Sequence, residues 1–287
     1  MPKCKSCGRS GLTLRLDFDG LCETCHRSRQ STLAARLETL KAFQAEYACI
    51  PSARVESNRI QRLAAESAEA SLSQARAQAE SIVFDARARA ARIVLAARSA
   101  QSPAPWKCLP PADFADAAAG GFVAFDCETT GLSPQSDRLV ELSAVKYVGG
   151  QRVDVFSALI NPGIPIPDSA SAVNHITNDM VLGSPYPASA VAVFLDFAGQ
   201  LPLVAHNADF DIAFVRAAFS GPCPGYAYGD SLAIARKLLP SLPNHKLATC
   251  LQYLGLHPGA LHRAEADAEG CAAIVLRWLR YRGTLTQ

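Results

Sequence analysis

At 287 residues, with 49% hydrophobic and 19% charged side chains, the chain is long enough for about two domains and too apolar to be mainly disordered or of low complexity. Its 28 Lys/Arg and 26 Asp/Glu leave a net charge of +2, but unevenly spread: residues 1–105 carry 16 basic and 10 acidic side chains, the remainder 12 and 16. No stretch approaches the ~18 apolar residues of a membrane span, and Met1-Pro2-Lys3-Cys4-Lys5 lacks the apolar run of a signal peptide, so a cytoplasmic protein with no membrane partner is expected.

Four of the ten cysteines fall in residues 4–25 as two Cys-x-x-Cys pairs, Cys4/Cys7 and Cys22/Cys25, with 14 residues between the pairs. In a reducing compartment that spacing favours one tetrahedral Zn²⁺ over disulfides. Between the knuckles Leu12, Leu14, Leu16 and Phe18 alternate with polar residues as in a half-buried strand, and Asp19-Gly20 supplies a turn. A module this small needs its metal to fold, and residues 1–30 resemble a zinc ribbon. Cys25-His26 completes a c-type haem pattern, which the missing export signal argues against, so His26 is taken as a surface residue. The six Lys/Arg over three Asp/Glu in this module lean towards a nucleic-acid partner; the ribbon's own partner is otherwise open.

Residues 31–100 contain no glycine and a single proline, Pro51, which predicts helix with one interruption. Ala75–Val83 recurs eleven residues later as Ala86–Val94 with six of nine positions identical. That period keeps an apolar stripe nearly straight along the helix, so residues 54–99 predict a rod of roughly 70 Å. Such a rod either self-associates, giving a homo-oligomer, or stays a solvated single helix. Pro103, Pro105, Pro110 and Pro111 then mark a linker over 101–120, and residues 121–287 alternate apolar runs with turn signals, as an α/β domain does. Residues 106–287 are expected to fold and act alone.

Three segments of that domain carry chemistry. Phe122-Val-Ala-Phe-Asp126-Cys-Glu128 is an apolar strand with acids at i and i+2, which share one face while Cys127 points to the other. Two adjacent carboxylates repel unless a cation lies between them. Leu203-Val-Ala-His206-Asn207-Ala-Asp-Phe-Asp211 is a second strand entering a helix, where Asp209 or Asp211 also suits the helix dipole. His262-Arg-Ala-Glu-Ala-Asp267 opens a further helix.

Taken in order, Asp126-x-Glu128-Thr-Thr-Gly, His206-Asn-x-x-Phe-Asp211 and His262-x-x-x-x-Asp267 resemble the DEDDh group of DnaQ-like 3′ to 5′ exonucleases, over about residues 121–281. The resemblance implies an α/β, ribonuclease-H-like fold with a mixed five-stranded sheet flanked by helices. It also implies two Mg²⁺ or Mn²⁺ held by Asp126, Glu128, Asp211 and Asp267, with His262 as general base. Thr129 and Leu132 would grip the terminal nucleotide, with His206 and Asn207 beside it. The expected partner is nucleic acid with a free 3′ end, DNA before RNA. The alternatives are an RNA-trimming exoribonuclease, or a scaffold that uses the nuclease fold for binding. Where the family often has His-Gly-Ile-Thr, this chain has Asn174-His175-Ile176-Thr177, and Asn244-His245-Lys246 has no assigned role.

Overall fold

The structure, a computed structural model, describes residues 2–285 apart from 12, 13, 18, 47, 49, 50, 102–104, 220 and 257–262. The chain divides into two compact units at Ala79/Glu80.

In the first unit, short bridges pair Lys3 with Ser10 and Leu16 with Cys22. Leu12, Thr13 and Phe18 of the expected strand lie outside the described residues; Leu14, Leu16 and Leu21 pack against Cys4 and Cys22. The expected turn is present, with Gly20 in the left-handed region at φ 76°. Helix α1 (Glu23–Glu46) follows at once, so Cys25 sits in its first turn. Helix α2 (Pro51–Gln101) is one continuous helix beginning at the anticipated proline.

The division therefore falls inside α2, some way before the proline-rich linker. The reason is packing: Ala88, Ala91 and Leu95 are buried, and Phe84 and Leu95 join the apolar core of the second unit. The second eleven-residue repeat thus places its small residues against a folded domain.

That domain is built on a mixed sheet of six strands, one more than expected. They are β1 (Lys107–Cys108), β2 (Gly121–Thr129), β3 (Leu139–Val148), β4 (Gln151–Leu159), β5 (Leu203–Ala205) and β6 (Ala227–Asp230), in the order β1-β6-β5-β2-β3-β4. β2, β3 and β4 are antiparallel, whereas β5 and β6 continue from β2 in parallel. The sixth strand is the two-residue β1, which runs parallel to β6 at the edge.

Alternation along β2 sorts its side chains between two cores. Val123, Phe125 and Cys127 face α5 (Pro187–Ala198), α6 (Ala208–Ala218) and the end of α2. Phe122 and Ala124 face α3 (Pro111–Ala117), α7 (Ser231–Leu238), α8 (Leu247–Tyr253) and α9 (Ala264–Tyr281). Each fully buried Phe or Leu here contributes about 1.5–3 kcal/mol, so both faces of the sheet are covered, as the parallel half requires. A small third cluster of Val140, Ile166, Ile176 and Val181 lies beside α4 (Asp168–Asn174). Among the described residues no helix is long and apolar enough to cross a membrane.

Candidate active site

Asp126 and Glu128 have the parity of Phe122 and Ala124, so they fall on the α9 side of the sheet. α9 lies across β2 and β3 and brings Asp267 from its first turn to meet them. One carboxylate oxygen from each of Asp126, Glu128 and Asp267 lies within 4.8 Å of the other two. Cys127, as its parity demands, is buried in the opposite core.

Asp211 approaches from the first turn of α6, buried, and is outside that group of three. Its Oδ1 accepts the Cys127 amide at 3.0 Å, which ties the helix to the strand between the two acids. Asp209, one of the alternatives in this turn, points away and accepts the Tyr228 hydroxyl at 2.8 Å.

Crowding the acids has an electrostatic cost. Burial, then Asp211, Asp267 and Glu128, pushes the Asp126 carboxyl well above the usual range. Glu128 is pushed up to about 7 by burial, Asp267 and Glu141. Asp211 rises to about 8, chiefly from burial and against the lowering effect of the Cys127 amide. Divalent cations relieve this repulsion, and hard oxygen donors are what Mg²⁺ and Mn²⁺ take.

A fifth carboxylate, not anticipated, borders the group. Glu141 on β3 is the cross-strand partner of Glu128 and only 3% exposed. It accepts from Arg263 Nη2 at 2.8 Å, from Arg263 Nε at 3.2 Å and from the Ala264 amide at 3.2 Å, so it caps α9 from the sheet. Its sequence signal is one acid inside the otherwise apolar Leu139-Val-Glu-Leu.

The pairing of β2 with β3 shifts register after Glu128, where Thr129 pairs with Leu139 and Val140 is left over. Past this bulge Thr129 leads into a braced loop. Asp137 accepts from the Ser133 amide at 2.9 Å and from the Thr130 hydroxyl at 3.3 Å. A Cβ on Gly131 would come within 2.5 Å of the Asp137 carboxylate, so a side chain there would displace the brace. Leu132 projects from this loop 84% exposed, a large apolar side chain open to solvent. Asn174, in the segment that departs from the family pattern, is buried and donates to the Thr129 carbonyl at 3.4 Å; His175 caps α4 in the left-handed region with its side chain exposed.

His206 and Asn207 follow β5. His206 Nδ1 accepts from the Ser231 hydroxyl at 2.8 Å and Nε2 donates to the His245 carbonyl at 2.9 Å, an assignment matching a neutral ring whose pKa burial lowers. Both nitrogens are therefore turned into the protein. Asn207 holds φ 71° with its side chain exposed at the start of α6. His262 lies outside the described residues; its neighbour Arg263 is anchored as above.

In the first unit, one sulfur from each of Cys4, Cys7, Cys22 and Cys25 lies within 4.8 Å of the others. Cys7 and Cys22 sulfurs are 3.8 Å apart, close to the edge of a tetrahedron with Zn–S bonds of about 2.3 Å, and the Cys22 amide donates to Cys4 Sγ at 3.3 Å. The donor set fits Zn²⁺. His26 is paired with Asp17 and Gln30 instead of joining the cluster.

A model of the RNase_T exonuclease family matches residues 123–275. The DNA polymerase III epsilon subunit of Treponema pallidum is 39% identical over 156 residues, which span 52% of this chain and 72% of that protein. The PolC-type DNA polymerase III of Clostridium perfringens is 36% identical over 156 residues, 54% of this chain but only 11% of that much longer polymerase. Among solved structures, the zinc-bound complex of E. coli exonuclease I with single-stranded DNA superposes with a TM-score of 0.51 at 19% identity, covering 57% of this chain and 41% of that one, a likeness of fold.

Proposed function

We propose, since this chain belongs to the RNase_T exonuclease family, that it is a metal-dependent hydrolase removing nucleotides from the 3′ ends of nucleic acid, DNA in the first instance. The observation that carries the reading is the convergence of Asp126, Glu128 and Asp267 within 4.8 Å, with Asp211 tied to the same strand. When bound, a pair of Mg²⁺ or Mn²⁺ ions would supply activation of a water and neutralisation of charge on the phosphate and the leaving oxygen. Asp126, Glu128 and Asp267 would hold one ion, Asp126 would bridge, and Asp211 would serve the second. His262 takes the proton from the attacking water, for which an intrinsic pKa near neutrality suits it. Thr129 and Leu132 grip the terminal nucleotide: the bulge and the Asp137 brace hold the loop in place, and the exposed Leu132 offers an apolar surface to a base.

DNA is favoured over RNA because the curated relatives are DNA polymerase subunits. A scaffold with an inactive nuclease fold is disfavoured by the retention of all four acids. The amino-terminal cysteines bind one structural Zn²⁺, and the exposed Val55, Ile60, Leu63 and Leu72 of α2 support self-association within the expected 54–99 segment. The decisive experiment is digestion of 5′-labelled single-stranded DNA and RNA side by side with Mg²⁺ or Mn²⁺. A ladder shortening from the 3′ end supports the reading. Internal cuts, or turnover that persists in EDTA, overturn it.

A further inference from the structure

Asn244-His245-Lys246 meets the site described above only where the His245 carbonyl accepts from His206, and it is built into the same edge of the sheet. β2, β5 and β6 are parallel, and their carboxyl ends carry Asp126 and Glu128, then His206 and Asn207, then Asp230 and Ser231. Open α/β sheets bind ligands along that edge. On the β3 side of the acids lie the Thr129 loop and Asn174. On the β6 side is an open cleft of about 520 Å³, walled in part by Asn207, Arg236, Asn244 and Lys246 and also lined by His206 and His245.

The cleft is fixed by its own hydrogen bonds. The His245 carbonyl accepts from His206, and His245 Nε2 donates to the Leu239 carbonyl at 2.9 Å. Asn244 Oδ1 accepts the Lys246 amide at 3.1 Å and the Thr249 hydroxyl at 2.9 Å, which sets the start of α8. Asp230, the nearby acid, has Oδ1 shared among the amides of Asn207, Ala208 and Leu232. Arg236 and Lys246 are exposed, and among the described residues neither is in an ion pair.

We infer that this cleft holds the sugar-phosphate backbone of the substrate strand upstream of the scissile bond, with Arg236 and Lys246 each neutralising a phosphate. The inference rests on the exonuclease reading and adds a location for the strand. A terminal nucleotide held on the Thr129 side leaves the rest of the strand to exit past the metals, towards β6. Residues 106–287 are net acidic, with acids concentrated at the reaction centre, so a polyanion needs local cations beside them. The chemistry recognised is the phosphodiester backbone, common to DNA and RNA.

The test uses the full chain, with a long thymidylate oligonucleotide, the matching uridylate strand and a thymidine dinucleotide as substrates. In the Arg236→Ala/Lys246→Ala double variant, KM for both long strands should rise about tenfold or more while KM for the dinucleotide stays put. The slope of log KM against log salt should fall by about one per cation removed. Lys246→Arg, which keeps the cation, should retain the wild-type salt slope. An unchanged KM and salt slope overturns the inference, as does an equal loss on the dinucleotide, which would place the cations at the reacting phosphate or in the fold. An effect confined to uridylate overturns it too, because a backbone contact does not discriminate. Anisotropy of the labelled long strand in EDTA keeps the two readings separable: weaker binding by the double variant supports the cleft even if the wild type cleaves nothing, whereas equal binding removes it.

Discussion

Arg263 straddles the Glu141 carboxylate with Nε and Nη2, and the next residue's amide reaches the same side chain. Three donors from the chain entering α9 thus converge on one acid of β3. This single junction sets the helix that bears Asp267 against the strand opposite Glu128. It also places beside Glu128 a guanidinium that lowers its carboxyl pKa, against the raising effect of burial, Asp267 and Glu141.

Arg263→Ala should therefore destabilise the protein by about 1–3 kcal/mol, the cost of leaving a buried acceptor short of partners. Because the freed charge is the cause, adding Glu141→Gln should recover part of the loss. Paired thermal melts read both effects; equal melting of Arg263→Ala and wild type would deny the junction its role.

Single replacements Asp126→Asn, Glu128→Gln, Asp211→Asn and Asp267→Asn should each reduce hydrolysis by more than the ~10–100-fold typical of residues one step removed from a metal. Circular dichroism should show the fold retained. Turnover near wild type in Asp126→Asn would end the two-metal reading.

The raised carboxyl groups make a directional statement about pH. In the metal-free protein Glu128 and Asp211 titrate near 7 and 8, above their ordinary carboxylate values, so the folded state holds more protons than the unfolded one between about pH 4 and pH 8. Their contribution to stability is full below that window and is lost as pH rises through it. Melting in EDTA should accordingly fall from pH 5.5 to pH 8, and added Mg²⁺ or Mn²⁺ should raise the midpoint more at pH 8, where fewer protons must be displaced. A metal effect larger at pH 5.5 would contradict the assignment.

His262→Ala should lower kcat by ~10²- to 10⁴-fold with Mn²⁺ affinity retained, as calorimetry would report. A full-rate variant would move the base elsewhere.

Leu95 ties the end of α2 to the catalytic core with no exposed surface. Leu95→Ala should cost about 2–5 kcal/mol. A fragment 80–287 should fold and cut, whereas 106–287, which lacks Phe84 and Leu95, should melt far lower. Equal melting of the two fragments would return the boundary to the linker.

Much of the acidic cluster is legible in the sequence because its determinants are local. Period-two alternation put Asp126 and Glu128 on one face and Cys127 on the other, and the paired cysteine knuckles came together as their spacing implied. What escaped notice depends on contacts far apart in the chain. Glu141 and Arg263 are 122 residues apart, and each alone passes for an ordinary strand acid or surface cation. Asp137 acts through a loop with no periodicity. The alanine-rich end of α2 resembles a solvated rod, since small side chains carry little sign of a neighbour, although Phe84 and Leu95 were the available clue. Strand β1, at two residues, is too short for any pattern to reveal.

The leftover Val140 in the β2–β3 pairing sets the sheet's reading frame around the catalytic centre. It lets Leu139 and Leu142, three residues apart, both enter the core beneath the sheet, while Val140 lines the cluster beside α4 and Glu141 remains opposite Glu128. Regular alternation would send Leu139 and Leu142 to opposite faces. Deleting Val140 would restore regular alternation, leaving Leu139 and Leu142 on the same face and Glu141 opposite Glu128, and would take from the α4 cluster its strand residue. The extra residue therefore serves the α4 cluster, which a deletion at position 140 should loosen while the acids stay aligned.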